Sequence, residues 1–290
     1  MLKKEEVAKQ YPQICSFLEH EGVEAISALE SKWRKENTIL KVRTKRQSYV
    51  LKVISNQDKI DEVERVKLLR THYPLLVPET FMYEGNAYLM AFVEGSNFFD
   101  LKPEERVSRI NLAGQILASS WNGQHFPKRD ISQKIRASFE KYRKKAARFF
   151  SEYELQITDF PDFLAVPSQP SHNDLNAANL IYDSGIKLID PSDEGYEDVA
   201  RDVGRYLASC FFNNYDYFGQ NKRHSLDIAQ AFLCNFSPTI LRRTKFYAGE
   251  SFLSFINFPT ISTSPEALKK LALVMLNQEQ PILHCLEEAI

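Results

Sequence analysis

The most constraining feature of this 290-residue sequence is a polar loop followed by two short apolar segments and an aspartate. The loop covers residues 171–179 and reads SHNDLNAAN. The apolar segments, residues 180–182 and 186–189, flank an Asp-Ser-Gly run that favours a turn, because Asp starts turns and Gly tolerates positive φ. Segments this short predict a β-hairpin that ends at Asp190.

Three polar side chains in this stretch have the chemistry that phosphoryl transfer needs. That reaction requires Mg²⁺ on the nucleotide phosphates, an oriented hydroxyl group and a weak base beside it. Mg²⁺ takes oxygen ligands, typically one or two carboxylates together with phosphates and water. Asp190 and Asn179 supply a carboxylate and an amide oxygen, and Asp174 can accept the proton of an attacking hydroxyl. We expect the hairpin to bring these three residues toward one end.

The pattern His-x-Asp-x4-Asn, strand, turn, strand, Asp resembles the protein-kinase-like superfamily, and within it the aminoglycoside phosphotransferase and choline kinase branch. Asp190 is followed by Pro191 and Ser192 rather than Phe-Gly, and no Ala-Pro-Glu segment follows, unlike in protein kinases. Asp202, twelve residues after Asp190, is similar to the aspartate at a helix start in that branch. Asn173 stands where the branch usually has glycine.

The resemblance implies ATP and Mg²⁺ as cofactors, with Asp174 as the base and Asn179 and Asp190 as the metal ligands. It also implies structural roles for two neighbouring residues. We expect His172 to brace the loop rather than transfer protons, and Asp202 to accept hydrogen bonds beneath the loop.

A lysine lies inside the apolar run YVLK at residues 49–52. Lys52 could snorkel to solvent from such a strand. The run also resembles the strand of kinases whose lysine holds the α- and β-phosphates, and this resemblance implies the same role for Lys52.

The following predicted helix, residues 58–71, offers two glutamates as partners for that lysine. Glu62 shares a face with Val66 and Leu69, which suits packing toward the interior. We therefore expect Glu62 to position Lys52, with Glu64 as the alternative.

The resemblance further implies a nucleotide-binding hinge after a hairpin at residues 85–86. Backbone groups at Ala91 and Val93 would bond the adenine edge, and Met90 would lie behind it. One departure concerns the loop that should cover the phosphates, residues 31–37, because its sequence SKWRKEN contains no glycine. Its basic side chains could compensate by direct charge contact; they are Lys32, Arg34 and Lys35.

Composition narrows the class of protein. Hydrophobic residues make up 43% and charged residues 26% of the chain, as in ordinary globular proteins. A net charge of −1 argues against a nucleic acid or a membrane surface as partner. The charged first residues predict no signal peptide, no apolar run could span a bilayer, and the four scattered cysteines indicate reduced thiols. We therefore expect a cytoplasmic location.

The expected fold is α+β and two-lobed, of the protein-kinase-like type. Residues 1–93 would form a nucleotide-binding lobe with an antiparallel sheet and an extra N-terminal helix. Residues 94–290 would form a helical lobe with the catalytic loop and the acceptor site. A basic helix predicted over residues 131–153 favours a solvated face over a wall for an anionic substrate.

The sequence therefore predicts an ATP-dependent phosphotransferase that acts on a hydroxyl of a small molecule: a sugar, amino sugar, aminoglycoside or amino alcohol. Charges in residues 207–290 are mixed rather than strongly acidic, so an aminoglycoside is not the leading acceptor. Two alternatives remain open. The glycine-free loop motivates a nucleotide-binding pseudokinase or regulatory protein, and the superfamily also contains kinases that act on protein.

Overall fold

The chain divides into two compact units in a computed structural model. The first unit comprises Met1–Gly95 and Lys187–Glu194, and the second comprises Ser96–Ile186 and Gly195–Ile290. Among the residues described, no helix is long and apolar enough to cross a membrane. The described residues are 9–29, 37–55, 61–122, 126–150, 161, 163–192, 198–212, 221–256, 265–277 and 279–289.

A five-stranded antiparallel sheet forms the centre of the first unit, in the order β1-β2-β3-β5-β4. The apolar runs at residues 23–29, 37–43 and 48–55 predict three strands, and each has ends within two residues of the observed ones; the hairpin at residues 85–86 is also present. The strands are β1 (Val23–Ala28), β2 (Thr38–Thr44), β3 (Ser48–Val53), β4 (Thr80–Glu84) and β5 (Ala87–Ala91).

Helix α1 (Pro12–Glu21) covers one face of this sheet. It begins at a proline, which suits the first helical turn because it lacks an N–H that would need a partner there. The carboxylate of Glu84 accepts hydrogen bonds from the N–H groups of Gln13 and Ile14, at 3.2 and 3.0 Å. The N-terminal helix is predicted over residues 3–20, and residues 3–8 of it lie outside the described part of the chain.

Strand β3 is buried on both faces, and this burial decides where its lysine points. Tyr49 and Leu51 belong to the cluster that packs against α1. Side chains alternate along a strand, so Lys52 points to the opposite face, where it meets helix α2 (Asp61–His72). Strand β3 therefore places the charged side chain of Lys52 in the interior, against helix α2.

The second unit is mainly helical, with a short strand pair, β6 (Lys128–Arg129) and β7 (Val166–Pro167). The basic helix is shorter than predicted, because α4 ends at Ala146 and a 3₁₀ turn over Ala147–Phe149 follows. The helices are α3 (Pro103–Asn122), α4 (Ser132–Ala146), α5 (Val199–Phe212), α6 (Lys222–Leu233), α7 (Pro238–Phe255), α8 (Pro265–Asn277) and α9 (Ile282–Ala289).

The predicted hairpin after the polar loop is present as strands β8 (Leu180–Tyr182) and β9 (Ile186–Leu188). Its turn is closed by a side chain, since the Asp183 carboxylate accepts the N–H of Gly185 at 2.7 Å. This contact is the physical reason that the Asp-Ser-Gly run makes a tight connection.

Helices α5 and α7 are in close contact at Gly204. A Cβ atom built there would lie 2.7 Å from the carbonyl oxygen of Thr244 and 2.8 Å from the backbone nitrogen of Ala248. Both neighbours are backbone atoms of α7, so neither can rotate away. The absence of a side chain at this position sets the spacing of the two helices, and α5 is the helix that carries Asp202 and Arg205.

We expect Gly204→Ala to lower the free energy of unfolding by about 1–3 kcal/mol, because the added methyl group forces the helix backbones apart. Gly185→Ala is the control, since the nearest atom to its added Cβ lies 3.8 Å away. Urea unfolding of both variants measures the difference. Equal stability of the two variants would contradict this account of the helix contact.

Candidate active site

The buried lysine of the first unit lies between two carboxylates. Lys52 is 3% exposed, and its Nζ donates to Glu62 Oε1 at 2.6 Å and to Asp190 Oδ1. The hydroxyl of Tyr88 donates to the same Glu62 oxygen at 3.0 Å. Glu64, the alternative partner in the sequence, is instead exposed and pairs with Lys67 at 2.6 Å.

Burial and charge act in opposite directions on this cluster. Burial favours the neutral form of Lys52, but the adjacent carboxylates of Asp190 and Glu62 outweigh it and raise the lysine pKa. Burial also raises the pKa of Glu62, an effect that the Lys52 ammonium opposes. The ammonium is therefore held in its charged form, as contact with phosphate oxygens requires.

Asp190 has a left-handed backbone conformation, with φ of 60°. Asp and Asn tolerate this region better than most residues other than glycine. The Asp190 side chain is 39% exposed, whereas Glu62 is 3% exposed. Of the two carboxylates on Lys52, Asp190 is thus the one that a ligand from solution can reach.

The predicted hinge residues follow directly from strand β5. Met90 is buried, and the N–H of Ala91 donates to the carbonyl of Glu79 at 2.7 Å. Ala91 would therefore have to meet an adenine edge as an acceptor, through its carbonyl group, rather than as a donor through its N–H. Val93 is half-buried and lies beyond the end of the strand.

In the second unit, Asp202 fastens the start of the polar loop. Its carboxylate accepts the backbone N–H groups of His172 and Asn173, at 2.6 and 2.8 Å. Burial raises the pKa of Asp202 to about 7, although these two hydrogen bonds act to lower it. His172 is also buried, at 1% exposure, so both residues lie within the support of the loop.

Asn173 has a φ of 64°, which accounts for its standing where related sequences usually have glycine. Asparagine tolerates this left-handed conformation, and its side chain bonds locally. Asn173 Oδ1 accepts the hydroxyl of Ser171 at 3.0 Å, and its Nδ2 donates to the Ser171 carbonyl at 3.3 Å. The departure from the family pattern therefore keeps the backbone geometry that glycine would permit.

We expect Asn173→Ala to lower the free energy of unfolding by about 1–2 kcal/mol, the cost of placing an ordinary side chain in the left-handed region. Asn173→Gly removes the same side-chain hydrogen bonds but relieves the backbone. Urea unfolding should therefore find the glycine variant clearly the more stable of the two. A glycine variant as unstable as the alanine variant would mean that the side-chain bonds, not φ, limit this position.

Asp174 is held from both its backbone and its side chain. Its carbonyl accepts the amide nitrogens of Asn179 and Asn176, at 2.9 and 3.2 Å. Its Oδ1 accepts a hydrogen bond from Nε of Arg205 at 2.8 Å, and Nη2 of Arg205 lies 2.7 Å from the same oxygen as an ion pair. Because the Asn179 nitrogen is turned toward this carbonyl, the Asn179 amide oxygen points the other way.

The donor chemistry suits Mg²⁺ bound through nucleotide phosphates. Within the described residues, no cluster of three or more His, Cys, Asp or Glu side chains could hold a metal ion by itself. A nucleotide-bound Mg²⁺ needs only one or two protein ligands. The partly exposed carboxylate of Asp190 and the fixed amide oxygen of Asn179 are ligands of the required kind.

Two residues of this region were missed from the sequence. Arg205 contacts Asp174, and Tyr88 contacts Glu62. Arg205 could have been found, because it lies three residues after Asp202 and therefore on the same face of a helix. Residues 31–36 of the glycine-free loop, which include Lys32, Arg34 and Lys35, lie outside the described residues.

Comparison with known proteins bears on the fold and the class. A family model described as the phosphotransferase enzyme family, APH, matches residues 26–231. A search of curated protein sequences finds no match.

Solved structures resemble this chain over nearly its whole length. A choline/ethanolamine kinase family protein from Mesorhizobium loti has a TM-score of 0.59 and 15% identity, covering 100% of this chain and 99% of the other. A macrolide 2'-phosphotransferase type I has a TM-score of 0.56 and 13% identity, covering 96% and 99%. The ADP-bound aminoglycoside phosphotransferase APH(2'')-Ib has a TM-score of 0.51 and 13% identity, covering 96% and 98%. These likenesses confirm the predicted two-lobed, kinase-like α+β fold class.

Proposed function

Because this chain belongs to the phosphotransferase enzyme family, we propose that it transfers the γ-phosphoryl group of ATP to a hydroxyl group of a small molecule. The observation that carries the proposal is the buried ammonium of Lys52 between Glu62 and Asp190. Burying a charge is costly unless it is paired, so this arrangement has a physical cost that a purely structural strand would avoid. A phosphate-binding role explains why the cost is borne.

We assign nucleotide binding to the first unit. Lys52 holds the α- and β-phosphates, and Glu62 and the Tyr88 hydroxyl fix its position. The Ala91 carbonyl and the Val93 backbone bind the adenine edge, with Met90 behind it. The ADP found in the related aminoglycoside phosphotransferase supports ATP as the donor.

We assign the acceptor to the second unit, with Asp174 as its base. An oxygen of the acceptor hydroxyl attacks the γ-phosphorus, and the bond from that phosphorus to the bridging oxygen of ADP breaks. The hydroxyl proton passes to the Asp174 carboxylate. The products are ADP and a phosphate ester, and the fixed backbone of residues 172–174 orients the carboxylate for this step.

Asp190 and Asn179 are the residues that would hold Mg²⁺. When bound, the ion neutralises charge on the phosphates and helps to align them. The left-handed backbone at Asp190 and the bond from the Asn179 amide to the Asp174 carbonyl set the direction of each oxygen donor.

A small molecule is the favoured acceptor because the similar proteins are named for such substrates. Their names refer to choline or ethanolamine, a macrolide and an aminoglycoside. These names support the acceptor class expected from the sequence, which is a sugar, amino sugar, aminoglycoside or amino alcohol.

The test is release of ADP from Mg-ATP across a panel of sugars, amino sugars, aminoglycosides, choline, ethanolamine and amino-acid alcohols. We expect at least one compound to stimulate release above the rate without acceptor, and the phosphate ester to accumulate in equal amount. Mg²⁺-dependent ATP binding without turnover on any compound would favour the pseudokinase alternative. Phosphorylation of generic protein substrates, abolished by Asp174→Asn, would favour a protein kinase.

A further inference from the structure

The carboxylate of Asp174, which is assigned as the base, forms an ion pair with the guanidinium group of Arg205. Arg205 reaches Asp174 Oδ1 through both Nε and Nη2, at 2.8 and 2.7 Å. The two side chains are mostly buried, with exposures of 20% for Arg205 and 16% for Asp174. The Arg205 guanidinium also lies 5.5 Å from the ring centroid of Phe255, near the end of α7. Contacts with Asp174 and Phe255 thus hold the Arg205 side chain in place on two sides.

Arginine is suited to bind a second partner while it holds the first. A guanidinium has five N–H donors in a planar fork and no acceptor. The edge formed by Nε and Nη2 faces Asp174 Oδ1, which leaves the other edge of the fork as a donor surface. Oxygen atoms of carboxylate and phosphate groups match this surface best, because they accept two parallel hydrogen bonds and carry the complementary charge.

The other arginine on α5, Arg201, is already paired with a carboxylate. Arg201 lies 3.9 Å from Glu250, and both are almost fully buried. Asp202 is turned toward the backbone of the polar loop. Arg205 is therefore the cation on this helix that lies beside the proposed base.

We propose that Arg205 determines specificity by binding an anionic group of the acceptor, a carboxylate or a phosphate, next to the hydroxyl that Asp174 activates. This inference rests on the proposed function and, within its acceptor class, favours sugars that carry an anionic group over amino sugars, aminoglycosides and amino alcohols. A cationic acceptor, such as an amino sugar or an amino alcohol, would place an ammonium group beside the guanidinium. An acceptor with a hydroxyl and an anionic group would instead satisfy both side chains at once.

The test uses acceptors that share one scaffold and differ in charge. Glucose, glucosamine, glucuronate and glucose 6-phosphate form one set; glycerol, glycerate and glycerol 3-phosphate form a shorter one. Binding is measured by titration calorimetry in the presence of Mg-ADP, and turnover by ADP release from Mg-ATP. We expect the best anionic member to bind about 10- to 100-fold more tightly than its neutral counterpart, as one charge-assisted pair provides. The carboxylate and phosphate members separate the two possible anions.

Arg205→Gln should abolish this preference, mainly by raising the KM for the anionic acceptor. Arg205→Lys keeps the charge but loses the fork, so it should restore only part of the preference. Arg223→Gln is the matched control, because Arg223 is 86% exposed and pairs with Asp227 on α6. The preference of Arg223→Gln for anionic over neutral acceptors should equal that of the wild type.

Three outcomes would overturn the inference. One is binding or turnover in the wild type that favours neutral or cationic members. Another is a fall in kcat that is equal for all acceptors in Arg205→Gln, which would make Arg205 a positioning residue only. The third is failure of every anionic member to bind. A different result would count against the proposed function and not against this site. In it, no compound is turned over, but the wild type binds the anionic members and Arg205→Gln does not.

Discussion

Replacing Asp174 with asparagine should reduce the rate of phosphoryl transfer by about 10²- to 10⁴-fold, the contribution of a positioned general base. Asparagine keeps the size of the side chain and still offers an oxygen to Arg205. It cannot accept the hydroxyl proton, so the loss should fall on kcat. Nucleotide binding should remain close to that of the wild type, because Asp174 is assigned to the acceptor and not to the phosphates.

The measurements are acceptor-stimulated ADP release and the thermal shift caused by Mg-ATP. Asp227→Asn is the control, since it makes the same chemical change in a surface pair with Arg223. An Asp174→Asn variant with near-normal turnover and normal stability would remove Asp174 from the mechanism. A variant that loses nucleotide binding as well would indicate damage to the fold rather than to the base.

Most of the fold could be predicted from the sequence because its cues are local. Strands β1 to β3 follow apolar runs separated by turn residues, and the Asp-Ser-Gly turn closes on its own carboxylate. The basic helix was predicted to be too long, because its positive charge extends to Arg148 whereas the α-helix ends at Ala146. Charge alone does not mark a helix end.

The choice between Glu62 and Glu64 depended on helical periodicity, and the structure places Glu62 on Lys52. Periodicity was sufficient because the apolar residues Val66 and Leu69 define the buried face of α2. The same reasoning could not give Tyr88, whose hydroxyl reaches Glu62 from strand β5. A contact between a strand and a helix far apart in sequence depends on how they pack.

Helical spacing could place Arg205 on the same face as Asp202, but its contact with Asp174 was beyond sequence reasoning. Arg205 follows Asp174 by 31 positions and reaches it only because α5 packs beneath the polar loop. The backbone of that loop is bonded to Asp202 one turn earlier on the same helix. One helix therefore both supports the loop and supplies the cation at its aspartate, and this coupling is visible only in three dimensions.

Substitution of Asp190 is the second change for which we expect a large loss of activity, and the backbone conformation at Asp190 decides which substitution to use. Asp190→Ala would strain the left-handed backbone and so mix folding with function. Asparagine tolerates that conformation, so Asp190→Asn removes the charge alone. We expect it to lower turnover by about 100-fold or more, as loss of one preorganised electrostatic contact does.

The expected signature of Asp190→Asn differs from that of Asp174→Asn. In the wild type, the thermal shift caused by ATP should grow as Mg²⁺ is added, and in Asp190→Asn this growth should be largely lost. Glu62→Gln should keep the Mg²⁺ dependence but weaken ATP binding through Lys52, whereas Glu64→Gln, on the same helix but exposed, should match the wild type. Asp190 and Glu62 both contact Lys52. If the Mg²⁺ response were lost equally in Asp190→Asn and Glu62→Gln, the role of Asp190 would be to position Lys52 and not to bind the metal. Near-normal turnover in both Asp174→Asn and Asp190→Asn would refute the site assignment as a whole.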